Sequence, residues 1–347
     1  MFIYKIKCYI RQMKAYQYIY FLVVIILLQG SCKSQKEKIN GVSFVASSEA
    51  IHRNEIRPLR KASTNYVALM PFGFIKSLTS PEIIYNSNKQ WFGETKEGVA
   101  QYASVFQKEG IKLMLKPQIW VWRGAFTGAI EMGTEEHWKL LESSYEKFIL
   151  TYAELAASLK VNIFCIGTEL EKFVVNRPLF WKALIRKIKR IYKGKLTYAA
   201  NWDEFKRVPF WNELHYIGVD AYFPLSNHKS PTILQLKEGW KVHKEEVKKV
   251  QQQFNKKILF TEYGYRSIDF MAKEPWNSER IAGNVNLKNQ VNALEVIHQQ
   301  FWEEDWFAGG FLWKWFRNHH EVGGSNNNRF TPQNKPAEVK IKELYDK

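Results

Sequence analysis

Short apolar runs alternate with longer amphipathic segments along the chain from Ile39 onward. This alternation is typical of βα units, in which each helix packs its apolar side against a parallel sheet. There are eight such runs, the number of strands that closes a (β/α)8 barrel. The predicted strands are Gly41–Ala46, Tyr66–Phe72, Lys112–Gln118, Asn162–Gly167, Leu196–Ala200, Tyr216–Ala221, Ile258–Thr261 and Gly310–Trp315.

Predicted helices lie between these strands, and a last one follows the eighth strand. They include Glu135–Ser158, Pro178–Tyr192, Ile233–Gln253, Leu287–Trp302 and Pro336–Tyr345. A doubly wound open sheet shows the same alternation, but no Gly-rich phosphate loop favours one here. No repeat, Pro-rich linker or change of composition interrupts residues 39–347. We therefore predict that they form a single α/β domain, a TIM barrel.

The first residues of the chain differ from the rest in composition. Four basic residues and no acidic one precede the apolar run Ile19–Leu28, an arrangement typical of a secretory signal peptide. The run has ten residues, whereas a helix that spans a bilayer needs about 20. We therefore predict a signal peptide over residues 1–31 and export of the mature protein.

Cys32 follows Gly30 and Ser31, and this end of the leader resembles a bacterial lipobox, whose cysteine carries a lipid. Lipidation of Cys32 would make residues 32–38 a lipid-anchored tether to an envelope membrane, on its periplasmic or surface face. The anchor would be the only link between the protein and the membrane. The alternatives are an ordinary cleaved signal and an uncleaved anchor in which the cysteine occurs by chance.

The composition excludes several classes of function. The formal net charge is +17, but much of the excess Lys and Arg lies on predicted helical faces without a nucleic-acid motif, so no nucleic acid partner is expected. Of the three cysteines, only Cys165 lies in the predicted barrel, where an inert core residue is expected. The chain has no His-Glu-x-x-His, Gly-x-Ser-x-Gly or P-loop motif. We expect neither a metal nor an organic cofactor.

Two glutamates, Glu169 and Glu262, end apolar strand-like runs and lie 93 residues apart. A carboxylate in such a place is costly unless it is paired or its shifted pKa is used. The loops that follow barrel strands carry the active site, so the two side chains are expected to meet. Such a pair points to glycoside hydrolysis. The competing carboxylates are Glu171, Asp203, Glu204 and Asp220.

The aromatic content fits a carbohydrate cleft. Sugar rings stack their C–H faces on aromatic side chains, and their hydroxyls need polar partners. The chain has 13 Trp, many of them after predicted strands, although packing against helices is the alternative explanation for each. Trp313, at the end of the eighth strand, is best placed as a platform. The residues predicted to hold the sugar are Lys116, Gln118, Trp122, Asn201, Asp203, Asp220, Tyr222 and Trp313.

Five motifs in order resemble glycoside hydrolase family 113, a β-mannanase family of retaining TIM-barrel hydrolases of clan A. A sixth segment, Leu115–Ile119 on the third strand, also resembles the family pattern, which often has His where Gln118 stands. The resemblance covers roughly Gly41 to Tyr345. The five motifs are Gly167–Glu171, Ala200–Glu204, Gly218–Leu225, Phe260–Ser267 and Gly310–Phe316.

This resemblance implies a retaining hydrolase of β-1,4-mannosidic linkages in mannan or glucomannan, with Glu169 as acid/base and Glu262 as nucleophile. Barrels of this clan commonly carry Asn before the acid/base, where this chain has Thr168. Two alternatives stay open: a retaining hydrolase of another β-linked glycan, and a non-catalytic carbohydrate-binding lipoprotein with the same barrel. The expected partner is an oligo- or polysaccharide, and the expected state is a monomer.

Overall fold

The computed structural model describes residues 37–277 and 281–347, together with Ile3. Apart from Ile3, the predicted signal peptide lies outside the described residues, as do Cys32 and most of the tether. The chain divides into Met1–Lys38 and Ile39–Lys347, and the second unit holds the barrel. Within the described part of the chain, no helix combines the length and the apolar character needed to cross a membrane.

Eight parallel strands close a barrel, which confirms the predicted (β/α)8 fold. Its strands follow one another around the barrel in chain order, and the last pairs with the first. The barrel strands are β1 (Ile39–Phe44), β2 (Tyr66–Leu69), β4 (Lys112–Leu115), β6 (Ile163–Thr168), β7 (Lys195–Asn201), β8 (Tyr216–Asp220), β9 (Lys257–Tyr263) and β10 (Phe307–Trp315). Two further strands, β3 (Phe72–Ile75) and β5 (Gln118–Val121), form a separate small parallel sheet.

The second and third strands are shorter than predicted. The sequence indicated strands that continue to Phe72 and Gln118, but β2 ends at Leu69 and β4 at Leu115. The cause is a proline at the same level in each strand, Pro71 and Pro117, because proline has no N–H for the ladder. Beyond the prolines the two chains pair again as β3 and β5, starting at the partners Phe72 and Gln118.

The helices pack outside the barrel and agree closely with the predicted ones. Glu135–Ser158 and Pro336–Tyr345 have the predicted bounds, and each of the other three differs by one residue at its end. One of these ends at Phe254 because Asn255 adopts the left-handed conformation that terminates helices. The helices are α1 (Arg53–Lys61), α2 (Lys96–Lys108), α3 (Glu135–Ser158), α4 (Glu171–Asn176), α5 (Pro178–Ile191), α6 (Ile233–Phe254), α7 (Leu287–Phe301) and α8 (Pro336–Tyr345).

The barrel interior changes from apolar to polar toward the carboxyl ends of the strands. Met114 and Leu259 belong to a buried apolar cluster contributed by the strands. Side chains two residues apart on a strand face the same side, so the next inward positions are Lys116 and Thr261. Both are fully buried. The fold therefore places a polar layer between the apolar barrel floor and the loops that follow the strands.

Candidate active site

Lys116 is the centre of the polar layer. It follows β4 and is fully buried, with its ammonium between two carboxylates. The Nζ atom donates to Asp220 Oδ1 and Oδ2 at 3.3 and 3.2 Å, and also to Glu262 Oε1. Burial alone would lower the pKa of Lys116, but the charges of Asp220 and Glu262 outweigh it and raise the pKa above its ordinary value. Lys116 therefore stays charged and donates to both carboxylates.

Both oxygens of Glu262 are held by side-chain donors. Besides Lys116, Gln118 Nε2 donates to Oε1 at 3.1 Å and the Tyr222 hydroxyl donates to Oε2 at 2.9 Å. Burial, together with the charges of Glu262 and Asp220, raises the pKa of Tyr222 well above its usual value, so the hydroxyl keeps its proton. Three donors, two of them from the segment that follows β4 and one from the loop after β8, thus fix the Glu262 carboxylate in one orientation.

Asp220 is the second carboxylate beside Lys116. It is buried, and Thr261 Oγ1 donates to its Oδ1 at 2.7 Å. Burial and the charge of Glu262 raise the pKa of Asp220 to about 7, although Lys116 and Thr261 oppose the shift. Asp220 and Glu262 are partners in the register of β8 and β9, which explains why one ammonium can serve both.

Glu169 stands in a different environment. It follows β6 with φ of +49°, a left-handed conformation that is uncommon for a residue with a side chain and is often found at functional sites. Burial, and then the charges of Asp220 and Glu262, raise its pKa well above the usual range. Among the described residues, no side chain donates a hydrogen bond to its carboxyl group. Glu169 therefore holds its proton to a higher pH than an ordinary glutamate, and no described side chain donates to it.

The backbone after Glu169 is attached to a buried chain of hydrogen bonds. Leu170 N donates to the Tyr198 hydroxyl at 2.6 Å, and Tyr198 donates to Glu204 Oε1 at 2.6 Å. Glu204 Oε2 accepts from Asn201 N at 2.9 Å. Burial raises the pKa of Glu204 to about 8. Because both of its oxygens are occupied, Glu204 serves to hold the segment that carries Glu169.

The eight predicted sugar-binding residues fall into two groups in the structure. Four of them, Lys116, Gln118, Asp220 and Tyr222, are joined to Glu262 directly or through one another. Among the described residues, none of the other four is hydrogen-bonded to Lys116, Asp220 or Glu262, although Asn201 N donates to Glu204. Asn201 and Trp313 lie at strand ends of the same rim, Asp203 is partly exposed, and Trp122 is 69% exposed in a short turn after β5.

Two residues of these networks, Thr261 and Tyr198, were not among the predicted site residues. Thr261 could have been found, because it is a polar residue two positions after Leu259 in a buried strand and next to Glu262. Tyr198 carries no such signal, since its hydroxyl meets Glu204 only through a turn after β7. In the part of the chain that the structure describes, no group of three or more His, Cys, Asp or Glu side chains is arranged to hold a metal ion.

A parallel eight-stranded barrel with carboxylates gathered at the carboxyl ends of its strands is typical of the barrel glycoside hydrolases. The model of Glycoside Hydrolase Family 113 matches residues 45–335. The chain belongs to this family and is a glycoside hydrolase, as its motifs predicted.

Solved structures show the same fold. The GH113 β-mannanase AaManA from Alicyclobacillus acidocaldarius, in complex with ManMIm, has a TM-score of 0.77 and 23% identity, over 89% of this chain and 97% of that one. A GH113 β-1,4-mannanase has a TM-score of 0.77 and 21% identity, over 89% and 99%. A β-glucuronidase from Ruminococcus gnavus has a TM-score of 0.61 and 12% identity, over 89% and 50%. No curated protein sequence matches the chain.

Proposed function

We propose that this enzyme hydrolyses β-1,4-mannosidic linkages with retention of configuration, with Glu262 as nucleophile and Glu169 as acid/base. The contrast between the two glutamates carries the proposal. Glu262 is fixed by three donors, one of them an ammonium, whereas Glu169 has a raised pKa and no fixed partner. An acid must keep its proton until the leaving group needs it, and a nucleophile must be held in place, and these two environments meet those needs.

The reaction proceeds in two displacements. Glu262 forms a bond to the anomeric carbon while the glycosidic C–O bond breaks, and Glu169 gives its proton to the leaving oxygen. A water molecule then attacks the same carbon with Glu169 as base, and the bond between the sugar and Glu262 breaks. Two inversions at one carbon leave the configuration retained, and both glutamates return to their starting states.

Lys116 and Asp220 adjust the charge around Glu262 during these steps. When Glu262 becomes an ester, it loses its negative charge, and the Lys116 ammonium would be left buried without a counter-ion. Asp220 lies within 3.2 Å of the same ammonium and supplies that charge. An ammonium shared by two carboxylates therefore keeps a negative partner in both the free enzyme and the covalent intermediate, so the buried charge of Lys116 is unpaired in neither.

Membership of family 113 supports β-mannan as the substrate, as does the fold shared with two mannanases. Gln118, which stands where the family often has His, donates to Glu262 through an N–H group. A histidine N–H can make the same bond, so the difference is compatible with the same chemistry. Thr168 removes an amide from the position before Glu169, and this change bears on the contact with the sugar 2-hydroxyl.

Incubation with β-mannan, glucomannan, β-glucan, xylan and chitin oligosaccharides tests the substrate. We expect products from the first two, and time-resolved NMR should show the β-anomer as the first product. Release of products only from β-glucan, xylan or chitin would replace mannan with another β-linked glycan. An α-anomer as the first product would exclude the two-displacement mechanism.

A further inference from the structure

The small sheet of β3 and β5 has one buried face and one open face. Gly73, Ile75, Ile119 and Val121 are buried, and a Cβ on Gly73 would lie within 3.2 Å of Ile83, Phe148 and Ile119. Side chains alternate across a strand. The open face therefore carries Phe72 and Phe74 from β3, and Gln118 and Trp120 from β5.

Three of the four side chains on this open face are aromatic, where a half-exposed sheet usually carries polar residues. Trp120 is 40% exposed, and Phe72 and Phe74 are partly exposed. The ring centroids of Phe72 and Trp120 are 6.5 Å apart, and those of Phe72 and Phe74 are 6.2 Å apart. The three rings therefore form one apolar surface, which we call the β3–β5 platform. Its exposure needs an explanation beyond packing.

The platform is continuous with the active site through Gln118. Gln118 lies on the open face and donates to Glu262 Oε1 at 3.1 Å. Trp120 is two residues farther along the strand, about 6.6 Å from Gln118 in the direction away from the barrel. This advance is on the order of one pyranose ring. A sugar chain whose reacting unit sits at Glu262 can place its neighbouring unit over the rings.

We propose that the β3–β5 platform binds the sugar unit next to the reacting one on the glycone side, the part of the substrate that stays attached to Glu262. The proposal rests on the proposed function. Gln118, which lies on the same open face as the platform, donates to Glu262, and in the part of the chain that the structure describes it makes no hydrogen bond to Glu169, which protonates the leaving group. Pyranose rings stack on aromatic rings through their C–H faces. The specificity expected of this site is for glycones of two or more β-linked units.

A pair of aryl glycosides isolates this subsite. An aryl β-mannobioside has two sugar units on the glycone side, whereas an aryl β-mannoside has one, and both release the same phenol. Trp120→Ala should lower kcat/KM for the mannobioside by about tenfold and leave that for the mannoside within about twofold. Trp120→Phe keeps a ring and should retain most activity. Leu140→Ala, at a half-exposed position on α3, is the control that changes neither value.

Phe74→Ala provides a second variant on the neighbouring strand, and melting temperatures show whether each variant is folded. Equal losses on both substrates, or a loss on polysaccharide alone, would overturn the assignment to the glycone side. Unchanged activity of folded Trp120→Ala on the mannobioside would overturn the platform itself. If the wild-type enzyme cleaves neither aryl mannoside but cleaves the corresponding aryl glycosides of another β-linked sugar, the proposed mannan specificity is wrong. The same comparison of one-unit and two-unit glycosides of that sugar then tests the platform.

Discussion

Lys116 donates to Glu262 from a position with no solvent exposure, and its other side faces Asp220. Lys116→Met keeps the length of the side chain but leaves two buried carboxylates without a counter-ion. We expect turnover to fall by at least about a hundredfold and the free energy of unfolding to fall by about 3–5 kcal/mol. Steady-state kinetics and denaturant unfolding measure the two effects.

Lys116 and Asp220 allow a double-mutant test. In Lys116→Met, Asp220 and Glu262 are two buried negative charges with no cation between them, and Asp220→Asn removes one of these charges. The loss in unfolding free energy of the double variant should therefore be smaller than the sum of the losses of the two single variants. We expect a coupling energy above about 1 kcal/mol in the unfolding free energies. Additivity within about 0.5 kcal/mol would mean that Lys116 does not balance Asp220.

Glu204 makes the stability of the fold depend on pH. Its pKa is raised from 4.5 in its ordinary state to about 8 in the folded protein, so the folded state holds the proton more tightly. The resulting stabilisation is complete below pH 4.5 and is lost as pH rises through about 8. Glu204→Gln imitates the protonated form and removes this dependence. The melting temperature of the wild type should fall by a few degrees more than that of the variant over this range. If the melting temperatures of the wild type and of Glu204→Gln changed equally with pH, Glu204 would not be the group responsible.

The raised pKa of Glu169 predicts the alkaline limb of the activity profile. As pH rises through this pKa, Glu169 loses the proton that the leaving group needs, so kcat/KM declines. Glu169→Gln has no such proton to lose, and its residual kcat/KM on an activated aryl glycoside should lack the limb. The matched control is Glu171→Gln, because Glu171 lies two residues after Glu169 and pairs with Arg207. That variant should keep both the limb and the activity, and loss of the limb there would transfer the role to Glu171.

The barrel and the places of Glu169 and Glu262 at strand ends could be predicted from the sequence, because both depend on local pattern. Apolar periodicity marks the strands, and a carboxylate at the end of such a run is conspicuous. The Lys116 network could not be predicted, because it joins residues 104 and 146 positions apart whose contact depends on barrel closure. The left-handed backbone of Glu169 was equally hidden, since nothing in Gly167–Glu171 demands a positive φ. The open face of β3 and β5 required knowledge of the breaks at Pro71 and Pro117.

We predict that Cys32 carries a lipid that anchors the protein. The prediction rests on the basic region, the ten-residue apolar run and the residues Gly30 and Ser31 before the cysteine. The native protein should partition into detergent, and Cys32→Ser should release it or leave it unprocessed. Mass spectrometry of the mature N-terminus provides the measurement. A mature terminus elsewhere, without an acyl mass, would contradict the prediction. Because the anchor takes no part in the chemistry, a chain that starts at Lys36 should keep full activity.

The roles of Glu169 and Glu262 can be separated by azide. Glu262→Ala should abolish turnover and leave sugar binding, because the bond to the anomeric carbon cannot form. Glu169→Ala should lose less activity on an aryl glycoside than on a polysaccharide, because a good leaving group needs little protonation. Azide, which needs no general base, should then attack the glycosyl enzyme and give a glycosyl azide of retained configuration, identified by NMR. An inverted azide from Glu169→Ala, together with a retained one from Glu262→Ala, would show that the two roles are exchanged.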